Sequence, residues 1–174
     1  MSSATIEAVA QGQRQDETMG TIQLVSFGLN QEEYGIEITK VQEIILIGEI
    51  TSVPQTPNYI KGLINLRSTV IPIVDLRLRF ALPESDATDE TRIMVVDVMG
   101  KTIGIIVDKV SEVLRVAKDQ ITPPPPTIAD LGRDYLTGLV KLEKRLLIIL
   151  DIDLILGDEG AAAIEEMTSD APSS

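Results

Sequence analysis

The stretch YIKGLINLRSTVIPIVDLRL, beginning at residue 59, is written a second time as YLTGLVKLEKRLLIILDIDL from residue 135. At this constant offset of 76, Tyr59/Tyr135, Gly62/Gly138, Leu63/Leu139, Leu66/Leu142, Ile73/Ile149, Asp75/Asp151 and Leu78/Leu154 are identical without a gap. Upstream, YGIEITKVQEI from residue 34 returns as IGIIVDKVSEV from residue 103 at an offset of 69, with Gly35/Gly104, Ile36/Ile105, Lys40/Lys109, Val41/Val110 and Glu43/Glu112 identical. Two like units face the same burial problem twice, so internal repetition constrains the architecture before any motif is considered. The offsets differ by seven residues, and PPPPTIADLGRD from residue 123 supplies the longer connection in the second copy. Consecutive prolines favour extended polyproline II, so this segment reads as a semi-rigid spacer.

Between these anchors the apolar residues come in short, β-branched runs, among them TIQLVSF, VIPIVDL, RIMVVDV, TIGIIV and LLIILDI, separated by Gly, Pro, Asn and charged clusters. Runs of that length and composition are strands. The segments EITKVQEII and VDKVSEVL have mixed spacing that admits a helical turn or a twisted strand. Each copy holds roughly five strands, which suits a small barrel that hides its own edges. The expected fold is mainly β: two pseudo-symmetric five-stranded barrels with short helical segments and flexible termini. Residues 1–20 and 158–174 lack patterned apolar positions and read as a disordered tail and an acidic flexible tail, both dispensable for the core. The body between them, residues 21–157, is one domain of two intertwined barrels built from repeats of about 21–85 and 90–157.

Composition removes most chemistry. The chain has no Cys and no His, which excludes disulfides, zinc sites on those ligands, and thiol or imidazole catalysis. A net charge of −12 opposes binding to phosphate backbones and to anionic lipid. The tails carry −2 and −5 of it, so the body is only mildly acidic. There is no signal-peptide pattern and no run of about 18 apolar residues, so a soluble cytoplasmic protein without membrane insertion is expected. No catalytic, cofactor-binding or metal-binding residues are assigned.

Arg67 stands in the middle of GLINLRSTVIPIVDL and reads as a turn residue between two apolar arms, with Arg67-Ser68-Thr69 matched by Glu143-Lys144-Arg145 in the second copy. Asp75 and Asp151 occupy matched positions, and their symmetry favours local capping over acid–base or metal chemistry. Pro72 lacks a ladder donor and is expected at an edge or bulge. Gly35 and Gly104 suggest tight bends.

The segments EEYGIEITKVQEI, YIKGLINLRSTVIPIVDLR and YLTGLVKLEKRLLIILDIDLIL together resemble the CheW family of bacterial chemotaxis coupling proteins, over about residues 21–157. The resemblance implies Src-homology-3-like barrels, no catalysis and no cofactor. It also implies a scaffold joining the cytoplasmic tips of methyl-accepting chemoreceptors to the regulatory domain of the histidine kinase CheA, in membrane-proximal arrays. The family's functionally sensitive NLRG turn carries over to Asn65, Leu66 and Arg67, with Ser68 departing from the pattern. Glu43 lies in the segment resembling the receptor-side surface and is a candidate partner for Arg67. Ile38, Val41 and Ile44 read more often as core than as contact, because β-branched residues dominate strand interiors, and with Gly104 and Val110 they complete the candidate protein-interaction set. Rival readings are a regulatory domain of another chemosensory pathway or of a kinase-related protein, and a ligand-binding or hydrolytic barrel. The latter lacks convergent polar groups.

Overall fold

In the computed structural model, residues 20–83, 86–126 and 134–169 are described. The β-branched runs form strands β1 (Thr21–Leu29), β2 (Glu32–Glu37), β3 (Val41–Leu46), β4 (Ile60–Leu66), β5 (Thr69–Asp75), β6 (Arg92–Val98), β7 (Lys101–Val107), β8 (Lys109–Ala117), β9 (Ile121–Thr122), β10 (Leu136–Leu142) and β11 (Arg145–Leu150). Helix α1 (Leu76–Arg79) follows β5, and helix α2 (Gly157–Ser169) follows a 3-10 turn at Ile152–Leu154. The first ambiguous segment divides into a 3-10 turn, Ile38–Lys40, and β3, whereas the second is the strand β8.

The strands assemble into two sheets, ordered β8-β1-β2-β11-β10-β9 and β3-β6-β7-β5-β4. Each sheet takes its first hairpin from one repeat and its remaining strands from the other. The symmetry holds at single-residue level: β11 runs parallel to β2 with Ile149 opposite Gly35, and β5 runs parallel to β7 with Ile73 opposite Gly104. The edge strands of each sheet, β8 and β9 or β3 and β4, are consecutive in the chain, so each sheet rolls up on itself. In the second barrel Thr51 closes the seam, exchanging backbone hydrogen bonds with Leu63 at 2.9 and 2.8 Å. The seam passes so close to Gly62 that a Cβ there would overlap the Thr51 carbonyl oxygen, and Gly138 faces Ile121 and Thr122 in the same way.

Each barrel encloses a cluster of its own, Ile22, Leu24, Val116, Val140, Leu147 and Ile149 in one and Ile71, Ile73, Ile93, Val95 and Ile106 in the other. A third, larger cluster lies between them and draws on both, including Phe27, Ile36, Ile60, Leu76, Met94, Ile105, Leu150 and Ile152. Burial on both sides explains why β5, β6 and β7 read as nearly continuous apolar runs. Four of the five aromatic residues of the chain form one chain of contacts through this junction: Phe27 with Tyr34, Tyr34 with Phe80, and Phe80 stacked on Tyr135 at 4.9 Å. Arg79 then bridges Tyr135 and Tyr59, its guanidinium 5.1 and 5.5 Å from the two ring centroids. It thereby joins the same tyrosine of both repeats.

Three expectations are corrected. Residues 158–169 do not form a flexible tail: α2 buries Ile164 and Met167 in the junction core, and Gly160 sits against the Tyr59 hydroxyl. The spacing Gly160, Ile164, Met167 is a sparse one-face helical pattern diluted by alanines and acids. Pro72 is not on an edge strand, since β5 lies between β4 and β7; it is tolerated because β7 pairs only with Ile73–Asp75. Gly35 and Gly104 mark no bends but lie inside strands. The spacer at residues 123–134 falls largely, and the N-terminal tail almost wholly, outside the described residues.

Candidate functional site

Hairpin β4–β5 turns through two residues, Arg67 (φ 49°) and Ser68 (φ 71°), with Leu66 paired to Thr69. Two consecutive positive φ angles are the signature of a type I′ turn, whose twist matches the flanking strands and which normally takes Asn or Gly. Arg67 is thus held at the tip in a conformation that costs roughly 1 kcal/mol for an ordinary side chain. Its side chain is 70% exposed and its Nη2 donates to Oε2 of Glu43 on β3, whose own side chain is only 16% exposed. That hydrogen bond and the carboxylate's charge raise the guanidinium further above its ordinary range. The result is a fixed cation projecting beside a mostly covered carboxylate.

The second repeat builds its counterpart differently. Neither Glu143 nor Lys144 takes a positive φ, and Arg145 is the first residue of β11, opposite Leu142, rather than at the tip. Arg145 Nε lies 2.6 Å from Glu33 Oε2 and Nη2 lies 3.9 Å from Oε1 of Glu112, the repeat counterpart of Glu43. The Glu33 contact is an ion pair without an aligned hydrogen bond. This cluster opens on a cleft of about 770 Å³ whose walls include Glu32, Asp86, Glu90, Asp108 and Lys109. Among the described residues no group of three His, Cys, Asp or Glu side chains is placed to hold a metal ion.

The candidate set divides by burial. Asn65 and Arg67 are exposed, Leu66 is half-buried on the second barrel's cluster, and Ile44 and Val110 are half-buried on the junction core. Ile38 (1% exposed), Val41 (7%) and Gly104 are interior and present almost no surface of their own. Val113, the repeat counterpart of Ile44, packs on the same core and was not singled out from sequence. The offset of 69 pointed to it.

Asp75 and Asp151 cap the turn after their strands rather than the hairpins themselves. Asp75 accepts from the Arg77 backbone N–H at 2.9 Å and Asp151 from that of Asp153 at 3.0 Å. Asp75 also carries a buried ion pair that pattern reading missed, with Arg77 Nη2 at 3.1 Å, while Arg77 Nη1 reaches Asp108 at 3.2 Å. Asp108 in turn accepts from the Asn30 N–H at 2.7 Å in the β1–β2 turn. The equivalent β6–β7 turn has Met99, whose N–H is accepted by Asp153 at 2.8 Å, and there the cation is Lys40 at 2.9 Å. Each first hairpin is therefore pinned by a carboxylate–cation pair, with the donors of charge exchanged between repeats.

Residues 23–160 match the family described as the CheW-like domain. The chain belongs to the CheW family. It is 41% identical over 151 residues to the chemotaxis protein CheW of Klebsiella aerogenes, an alignment covering 87% of this chain and 90% of that protein. The chemotaxis protein CheW of Treponema pallidum is 37% identical over 134 residues, covering 75% and 79%. The crystal structure of the scaffolding protein TtCheW from Thermoanaerobacter tengcongensis superposes with a TM-score of 0.71 at 33% identity, covering 80% of this chain and 94% of that one. This CheW-family chain is accordingly a non-catalytic chemotaxis scaffold protein.

Proposed function

We propose that this chain couples the cytoplasmic tips of methyl-accepting chemoreceptors to the regulatory domain of the histidine kinase CheA, as a cytoplasmic component of membrane-associated arrays. The observation that carries the reading is the Arg67–Glu43 pair. A type I′ turn that accepts Arg where Asn or Gly is cheaper, and then aims it outward beside a covered carboxylate, is a local cost without a folding benefit. Such costs concentrate where a side chain meets a partner. Asn65 and Leu66 flank this contact on β4, and Ile44 and Val110 offer half-buried apolar surface to a receptor helix. Among the described residues no helix is long and apolar enough to cross a membrane. The test is receptor-dependent activation of CheA in a reconstituted array. Arg67→Ala lowers activation severalfold while leaving the thermal unfolding transition nearly unchanged, as befits a solvent-exposed guanidinium. Arg145→Ala is the matched comparison. Wild-type activation by Arg67→Ala overturns the assignment of this turn.

A further inference from the structure

The two first hairpins of the repeats turn with the same backbone and opposite chemistry. Asn30 (φ 52°) and Gln31 (φ 78°) form the β1–β2 turn, and Met99 (φ 52°) and Gly100 (φ 84°) the β6–β7 turn. Asn adopts the left-handed region at little cost because its side chain bonds locally, whereas Met does not. Met99 is nevertheless 70% exposed and its turn is firmly built: Asp153 accepts from its N–H at 2.8 Å and Asp97 from that of Gly100 at 2.8 Å. Leu154, 46% exposed, lies on the wall of the cavity that Met99 also lines.

Beneath Met99, between this turn and α2, two cavities of about 210 and 370 Å³ share Val98, Met99, Leu156 and Ala161 and so form one groove. β6 and β7 are each paired on both sides, so no strand edge is free here to add a β-strand. Of the charged residues lining the groove, Arg79 is engaged by the two tyrosine rings and Asp153 by Lys40 and Met99. Taken together, the lining holds the carboxylates of Asp134, Asp153, Asp158 and Glu165 against the cations Arg79 and Lys101, an acidic rim. Flexible methionine on an exposed apolar surface is suited to receiving a helix face.

The geometry points to a further interaction surface, distinct from the Arg67 turn: the Met99–Leu154 groove takes an amphipathic helix that inserts one aliphatic side chain and carries basic residues along its flank. It does not depend on the assignment of Arg67.

The test is a titration of the full chain, labelled at its methionine methyl groups, with an alanine-based peptide of about 18 residues, long enough to be helical, bearing a central Leu and flanking Lys. The Met99 methyl signal shifts and that of Met94, fully buried in the core, does not. Replacing the flanking Lys by Glu, or the central Leu by Ala, weakens binding about tenfold or more, the usual effect of removing an interface anchor. Met99→Asn, which installs the residue of the other repeat, weakens it similarly while leaving the melting temperature unchanged or higher. That variant separates loss of contact from loss of fold. The inference is overturned if no peptide binds at millimolar concentration, if the Glu-flanked peptide binds equally well, if Met99→Asn binds as wild type, or if Met99 proves to be covered by self-association.

Discussion

Gly104 lies directly opposite Ile73 where β7 and β5 run parallel, the repeat image of Gly35 opposite Ile149. A Cβ on Gly104 would come within 2.7 Å of both the Ile73 Cδ1 and the Ile93 Cγ2, whereas one on Gly35 would meet Leu147 at 3.3 Å. Overfilling a packed core costs about 1–3 kcal/mol. Gly104→Ala is therefore expected to lower stability by an amount in that range in urea denaturation, and Gly35→Ala by less. A Gly104→Ala protein of wild-type stability would mean that Ile73 and Ile93 give way to the extra methyl without cost.

Ser68 holds φ 71° at the second position of the β4–β5 turn. Glycine there removes the steric cost of the left-handed region, so Ser68→Gly is expected to stabilise the fold by up to about 1 kcal/mol, offset in part by the entropy of a freer unfolded chain. Thermal unfolding measures the gain, and receptor-dependent kinase activation shows whether Arg67 keeps its aim.

The Lys40–Asp153 pair sets a pH window. Burial pushes the Asp153 carboxyl up, but the Met99 amide and the Lys40 ammonium together bring it below its ordinary value of 3.8. A carboxyl depressed by folding stabilises above its unfolded pKa, and that stability is lost as pH falls through the folded value. Lys40 is raised above 10.5, chiefly by its hydrogen bond to Asp153, so its contribution is present below 10.5 and lost above the folded value. The pair thus acts on a plateau between those limits. Both side chains are about one-third exposed, so the effect is about 0.5 kcal/mol. Asp153→Asn is expected to flatten the acid limb of stability against pH between about 2 and 5, read by urea midpoints.

Ile164 is 1% exposed where α2 meets the junction core. Ile164→Ala is expected to cost about 2–4 kcal/mol, and a chain ending at residue 157 to lose more, because the core between the barrels is then open to water. An unchanged melting temperature for the shortened chain would mean that α2 rests on the surface without contributing to the fold.

The repeat made much of this protein legible before any coordinate was known. The alternating and continuous apolar runs gave the strands, and the offsets of 69 and 76 paired Gly35 with Gly104, Tyr59 with Tyr135 and Asp75 with Asp151, pairs that do occupy matching places. The polar break in GLINLRSTVIPIVDL located the turn at Arg67, because a hairpin is a local matter of two arms and the residues between them. Three things were decided only by tertiary structure. The repeats are too alike for local pattern to say which copy supplies β1 and β2 to which barrel, and only long-range pairing, β2 with β11 and β5 with β7, resolves the exchange. Burial of Ile38, Val41 and Gly104 follows from that exchange, since it stacks the barrels on a shared core and turns residues that resemble contacts inward. The docking of α2 and the wedge of Arg79 between Tyr59 and Tyr135 bring together residues far apart in sequence, and a stripe of three small or apolar positions among alanines and acids carries no signal until there is a surface to bury it.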